Sequence, residues 1–128
     1  MNVRIFQLPA GHDRLFRGFN EKHYPKLSDY EKVYSYMHPY VMAEDIPDFL
    51  EDVFTTFNIR RPKDFKGHSL SVSDIVVIEF LDTADTSRVF FCDTVGWKEL
   101  DPEKMGYTKL TGWVPKSIQF QKGQNNEH

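Results

Sequence analysis

Residues 67–71, Gly-His-Ser-Leu-Ser, are the stretch whose residue types come nearest to covalent chemistry. They approximate the G-x-S-x-G turn that presents a serine nucleophile, with Ser71 in place of the second glycine. That turn holds its serine strained between a preceding strand and a following helix, and needs an acid and a histidine further along. Here a loop containing Pro62 comes first, a β-branched run follows, and the histidine after Ser69 is His128, in the tail. The order is reversed, so acyl chemistry at Ser69 is not expected.

The other candidates read similarly. Histidines at 12, 23, 38, 68 and 128 form no close pair and have no cysteine partner at metal spacing, so no metal site is expected. His68 and Asp74 could centre a small enzyme, but a histidine bonded within a turn is the plainer reading. Ser69, Ser71, Ser73 and Asp74 suit a turn leading into a strand, where side chains bond nearby backbone groups. His68 and these serines should therefore form a hydrogen-bonded start to the strand after Asp74. Glu79 and Asp93 could pair as acid and base, although solvent-facing positions on a sheet are expected. Cys92, between Phe91 and Asp93, reads as a packed thiol. No glycine-rich phosphate loop occurs, and no cofactor is implied. The chain reads as non-enzymatic.

Non-covalent recognition has two candidates. Arg60, Arg61, Lys63 and Lys66 are a local basic group that could touch phosphate. The chain carries a net charge of −3 and a pI near 5.9, which argues against a dedicated nucleic-acid surface. Tyr24, Tyr30, Tyr34, Tyr36 and Tyr40 make the first half dense in tyrosine. Of these, Tyr36 and Tyr40, with Met42, are expected to form an exposed partner-binding patch near Met37.

The elements that must position these residues follow from periodicity. Residues 3–8 suit a strand, and residues 9–27 an irregular connection. Ser28 and Glu31 have capping-box spacing, and Tyr30, Val33, Tyr34 and Met37 follow at helical intervals, so a helix is expected over 28–37. Ile46, Phe49, Leu50, Val53, Phe54 and Phe57 form one apolar stripe of a second helix, with Asp45 as its cap, Pro47 and Asp48 in its first turn, and Asn58 ending it. Residues 75–80 read as a central strand covered on both faces. Residues 82–87 read as a hairpin connection, 88–95 as its return strand, and 101–104 as a turn or helix start. Residues 117–121 alternate like an edge strand. The expected whole is α+β, a mainly antiparallel sheet with two or three packed helices, as one domain over 1–121 with a mobile polar tail over 122–128.

At 128 residues with 15% aromatics, the chain can bury one ordinary core. A single cysteine fits a reducing compartment. No run reaches the roughly 20 apolar residues of a membrane span, and the first residues lack a secretion-signal layout, so a cytoplasmic setting is expected.

The run Phe57-Asn58-Ile59, Pro62, Asp64-Phe65 and 67–76, Gly-His-Ser-Leu-Ser-Val-Ser-Asp-Ile-Val, resembles the signature of the YodL-like family. In that family a hairpin leads to a strand end of the type aromatic-x-Asp-Ser-Gly-Phe-Lys-Glu. This chain has Phe91-Cys92-Asp93-Thr94-Val95-Gly96-Trp97-Lys98-Glu99, with Trp97 where the family usually has Phe. The helix over 46–57 also fits, and the strand ending Phe6-Gln7-Leu8 fits more loosely. Such domains are similar to ones in phages, bacterial mobile elements and large polyvalent proteins, and the resemblance attaches no catalytic residues. It implies a phage or mobile-element protein that binds and modulates a host protein, with counteraction of a defence or regulatory system as the form expected. The alternative is a nucleic-acid-associated accessory factor in element transfer, acting through the basic group at 60–66.

Overall fold

The computed structural model describes residues 1–81 and 86–107. Its frame is a five-stranded sheet in which every neighbouring pair is antiparallel. The strands are β1 (Asn2–Gln7), β2 (Glu31–Met37), β3 (Ile75–Phe80), β4 (Thr86–Cys92) and β5 (Trp97–Leu100). They lie in the order β2-β1-β3-β4-β5. The described residues also hold one 14-residue helix, α1 (Ile46–Ile59), a single-turn helix, α2 (Pro102–Met105), and three short 3-10 helices.

β3 is central because both its faces are apolar, and β1 beside it buries Val3 and Ile5 on one face and Phe6 on the other. Along β3 the side chains alternate, Val76 and Ile78 toward one core, Ile75 and Val77 toward the other. Successive side chains in a strand point to opposite faces, so an unbroken apolar run must be covered twice. The first cover is α1, whose Ile46, Phe49, Leu50, Val53 and Phe57 are buried against Val3, Ile5, Val76, Ile78 and Phe90. Phe54, at the margin of the apolar stripe, stays 37% exposed. The second cover is irregular chain. Leu27, Tyr30, Met105 and Tyr107 close over Phe6, Val77, Val89 and Phe91. The expected long connection after β1 is thus a lid on the sheet, made of turns and two short 3-10 helices.

α1 starts and stops for the physical reasons its sequence suggests, with two shifts. Pro47 occupies the first turn, where its missing N–H costs nothing, and Asp48 adds favourable charge there. Asp45 stands at the N-cap position without a side-chain cap bond, because a 3-10 turn, Ala43–Asp45, already leads into the helix. The helix runs one residue past Asn58 and closes with the Arg60 N–H donating to the Thr56 carbonyl.

The helix expected over 28–37 is a strand. Only a 3-10 turn, Leu27–Asp29, lies at its start, and β2 then pairs with β1. The tyrosines at 34 and 36 also satisfy a period of two, which places both on the α1 side of the sheet. Glu79 is likewise corrected. It is buried at 3% exposure because Arg4 from the adjacent strand stands 3.2 Å away, while Asn2 Nδ2 and the Tyr107 hydroxyl donate to its carboxylate. The expected edge strand over 117–121 and the tail over 122–128 lie outside the described residues, as does most of the hairpin loop.

Candidate functional site

The Gly-His-Ser-Leu-Ser motif folds into a polar cluster around the side chain of Gln7, at the end of β1. The Gln7 amide nitrogen donates to the His68 carbonyl and to Asp74 Oδ2, each at 2.9 Å, and its amide oxygen accepts from the His68 N–H at 3.1 Å. The Ser71 N–H donates to the same Asp74 oxygen at 2.8 Å. His68 Nδ1 lies 2.7 Å from the Ser69 carbonyl, which places its proton on Nδ1, and the Ser71 hydroxyl donates to that carbonyl too. No serine hydroxyl faces the imidazole as a nucleophile would face its base; each bond here shapes the turn. Behind the turn, Ser73 and Asp74 are clamped to Cys92 by two backbone bonds, and the Tyr30 hydroxyl donates to the Ser73 carbonyl.

Two features of the cluster stand apart from ordinary turn chemistry. Asp74 is fully buried, and burial pushes its carboxyl up to about 7 against the pull of the Ser71 and Gln7 donors. Among the described residues its Oδ1 has no hydrogen-bond partner, nor does the buried His68 Nε2. Phe16 and Ser73 both sit at positive φ, 67° and 86°, and are joined by a bond from the Phe16 N–H to Ser73 Oγ. The cluster ties the lid, the turn and the ends of β1 and β4 into one unit.

The remaining motif residues organise the neighbouring turn. Asp93 Oδ1 accepts from the N–H groups of Phe19 and Thr94, which fastens the lid to the β4–β5 connection. Trp97 pairs with Cys92 across β4 and β5 and packs against the α1 core. Cys92 is a buried thiol that burial pushes up to about 12, far from a reactive thiolate. Arg60, Arg61, Lys63 and Lys66 are exposed on the loop after α1.

Tyr36, Tyr40 and Met42 converge in a different place, a groove between β2, the segment after it and α1. Its volume is about 530 Å³. Tyr36 is half-buried, its ring 5.9 Å from that of Phe57, while Tyr40 and Met42 are 64% and 53% exposed. The connecting segment is held in place by the Met1 amino group donating to the His38 carbonyl and the His38 N–H donating back to Met1. Tyr40 then rests on Phe80, with ring centres 5.8 Å apart. The opposite wall is α1, where Asp45, Asp48 and Asp52 fall at intervals of three and four residues and line the groove. None of the three forms an ion pair among the described residues. Among the described residues β2 pairs only with β1, on one of its two edges, and its other edge lies beside the groove. The helical spacing expected for Tyr36 does not exist; strand alternation brings it here instead.

Among the described residues there is no group of three or more metal-ligating side chains, and no helix is long and apolar enough to cross a membrane. No curated protein and no solved structure matches the chain. The family model of the YodL-like domain matches residues 2–102, spanning all five strands, both the turn cluster and the groove. The chain belongs to the YodL-like domain family.

Proposed function

We propose that this protein is a non-enzymatic phage or mobile-element module that docks on a host protein through the β2–α1 groove and modulates it, counteracting a defence or regulatory system. The mobile-element setting rests on the family. The docking reading rests on one observation: exposed Tyr40 and Met42 face Asp45, Asp48 and Asp52, which form no ion pair among the described residues, across an open groove. Aromatic and methionine side chains bury large areas at interfaces for few frozen torsions. Carboxylates on the facing wall favour a basic partner. The occupant is therefore an extended basic segment with an apolar or aromatic anchor, which the outer β2 edge could also receive by main-chain bonding. A nucleic-acid role would rest on Arg60, Arg61, Lys63 and Lys66, on which no cavity wall or bonded frame converges, so docking to protein is preferred.

Titration of the full chain with an extended Lys/Tyr-alternating peptide and with its Glu/Tyr counterpart tests this reading. The basic peptide should bind and the acidic one should not. Either Tyr40→Ala with Met42→Ala, or Asp48→Asn with Asp52→Asn, should weaken binding about tenfold or more while the melting temperature shifts little. Equal binding of both peptides, or indifference to both double variants, would refute the groove as the docking surface.

A further inference from the structure

The groove between β2 and α1 calls for an extended basic segment with an apolar or aromatic anchor, and the chain carries one. Residues 116–122 read Lys-Ser-Ile-Gln-Phe-Gln-Lys. In an extended segment alternate side chains point to opposite faces. Lys116, Ile118, Phe120 and Lys122 then share one face, and Ser117, Gln119 and Gln121 the other. One face sets two apolar groups between two lysines, while the other is wholly polar. From 108 to 126 the sequence contains Lys109, Lys116 and Lys122 and no acidic residue, in a chain whose net charge is −3.

The point where the described chain ends brings this segment within reach. Tyr107 is buried in the core opposite α1, and its hydroxyl donates to the Glu79 carboxylate. Glu79 pairs with Asn2 on β1, and Asn2 with Met37 at the end of β2, so all three lie at one end of the sheet. Two strand spacings separate β3 from β2, about 10 Å, and passing from one face of the sheet to the other adds about 10 Å more. Residues 108–115, fully extended, span up to roughly 28 Å. The groove begins at this same end, where Tyr40 rests on Phe80 beside Met42.

We infer that residues 116–122 of this chain occupy its own β2–α1 groove, with Ile118 and Phe120 set against Tyr40 and Met42 and the two lysines toward the α1 aspartates. The inference rests on the groove being a docking surface and names its resident occupant. A host segment must displace this internal competitor, whose tether keeps its local concentration high. The apparent affinity for any outside segment falls by the fraction of molecules whose groove is open. The groove lies within the span matched by the family model, residues 2–102, and the segment lies beyond it, so substitutions at 116–122 leave all five strands intact.

Two measurements on the full chain test this. A photoreactive phenylalanine at Tyr40 of the purified protein should cross-link to residues 116–122 of the same molecule, in a yield independent of protein concentration. Titration with the Lys/Tyr-alternating peptide should show about tenfold or more tighter binding to Ile118→Ser with Phe120→Ser than to the wild type. Lys116→Gln with Lys122→Gln should also tighten it, whereas Asn125→Ser with Asn126→Ser should not. Absence of a cross-link to 116–122, a link formed only between copies, or equal peptide affinity across the wild type and both tightening variants would overturn the inference. Equal, measurable affinity keeps the groove as a docking surface and removes only the internal occupant. A peptide that binds none of the forms removes docking of outside segments, and the cross-link alone then decides the occupant.

Discussion

Between about pH 4 and pH 7 the wild-type chain should lose stability that an Asp74→Asn variant keeps. The buried carboxyl titrates at about 7, against 3.8 when free, so across that window the folded state holds a proton that the unfolded state has released. Stability from this group is fully present below the unfolded value and is lost as the pH rises through the folded one. At 1.36 kcal/mol for each pH unit of separation, the loss is about 4 kcal/mol, complete just above neutrality. Asparagine keeps the oxygen that accepts from Gln7 and Ser71 and cannot ionise. Denaturant melts of the two proteins should therefore nearly coincide at pH 4 and separate by several kcal/mol at pH 8, with the variant the more stable. Parallel curves would show that Asp74 is not held in a low-dielectric site.

Gly67→Ala should be nearly as costly in the destabilising direction. A Cβ at position 67 would stand 2.3 Å from Gln7 Oε1 and 3.0 Å from the Phe65 ring. Gln7 is 2% exposed and bonded to the His68 backbone on both sides and to Asp74, so it cannot swing away without abandoning those partners. Overpacking together with orphaned buried polar atoms points to about 2–5 kcal/mol. Thermal and denaturant melts would register this, and a change below 1 kcal/mol would mean the turn has room that the geometry denies. The glycine in the motif is thus required by close approach to Gln7, not by a positive φ.

The motif was legible in sequence as a turn, but its centre was not. Gln7 lies 61 residues from His68 and looked like the last polar residue of a strand. Nothing local marks a glutamine whose amide will be enclosed by a distant loop. Asp74 stood out as turn chemistry, whereas its elevated carboxyl comes from burial beneath Tyr30, Ser73 and Cys92, a tertiary effect. β1, α1 and β3 were readable because long apolar periodicity dictates which faces must be covered. β2 was misread because residues 30–37 satisfy both helical spacing and alternation, and only pairing with β1 decides between them. Glu79 was misplaced for the same reason, since Arg4 reaches it across a strand pair that sequence spacing does not display.

The most direct test of docking is photo-crosslinking from single positions of the full-length chain in a bacterial lysate. A photoreactive phenylalanine at Tyr40 or Met42, on the groove, is compared with one at Val95, which is 89% exposed on the β4–β5 turn. The groove positions should capture the same host protein, through a segment of net positive charge, and Val95 should not capture it. Identical adducts from all three positions, or a captured segment rich in acidic residues, would contradict the docking of a basic host segment between β2 and α1.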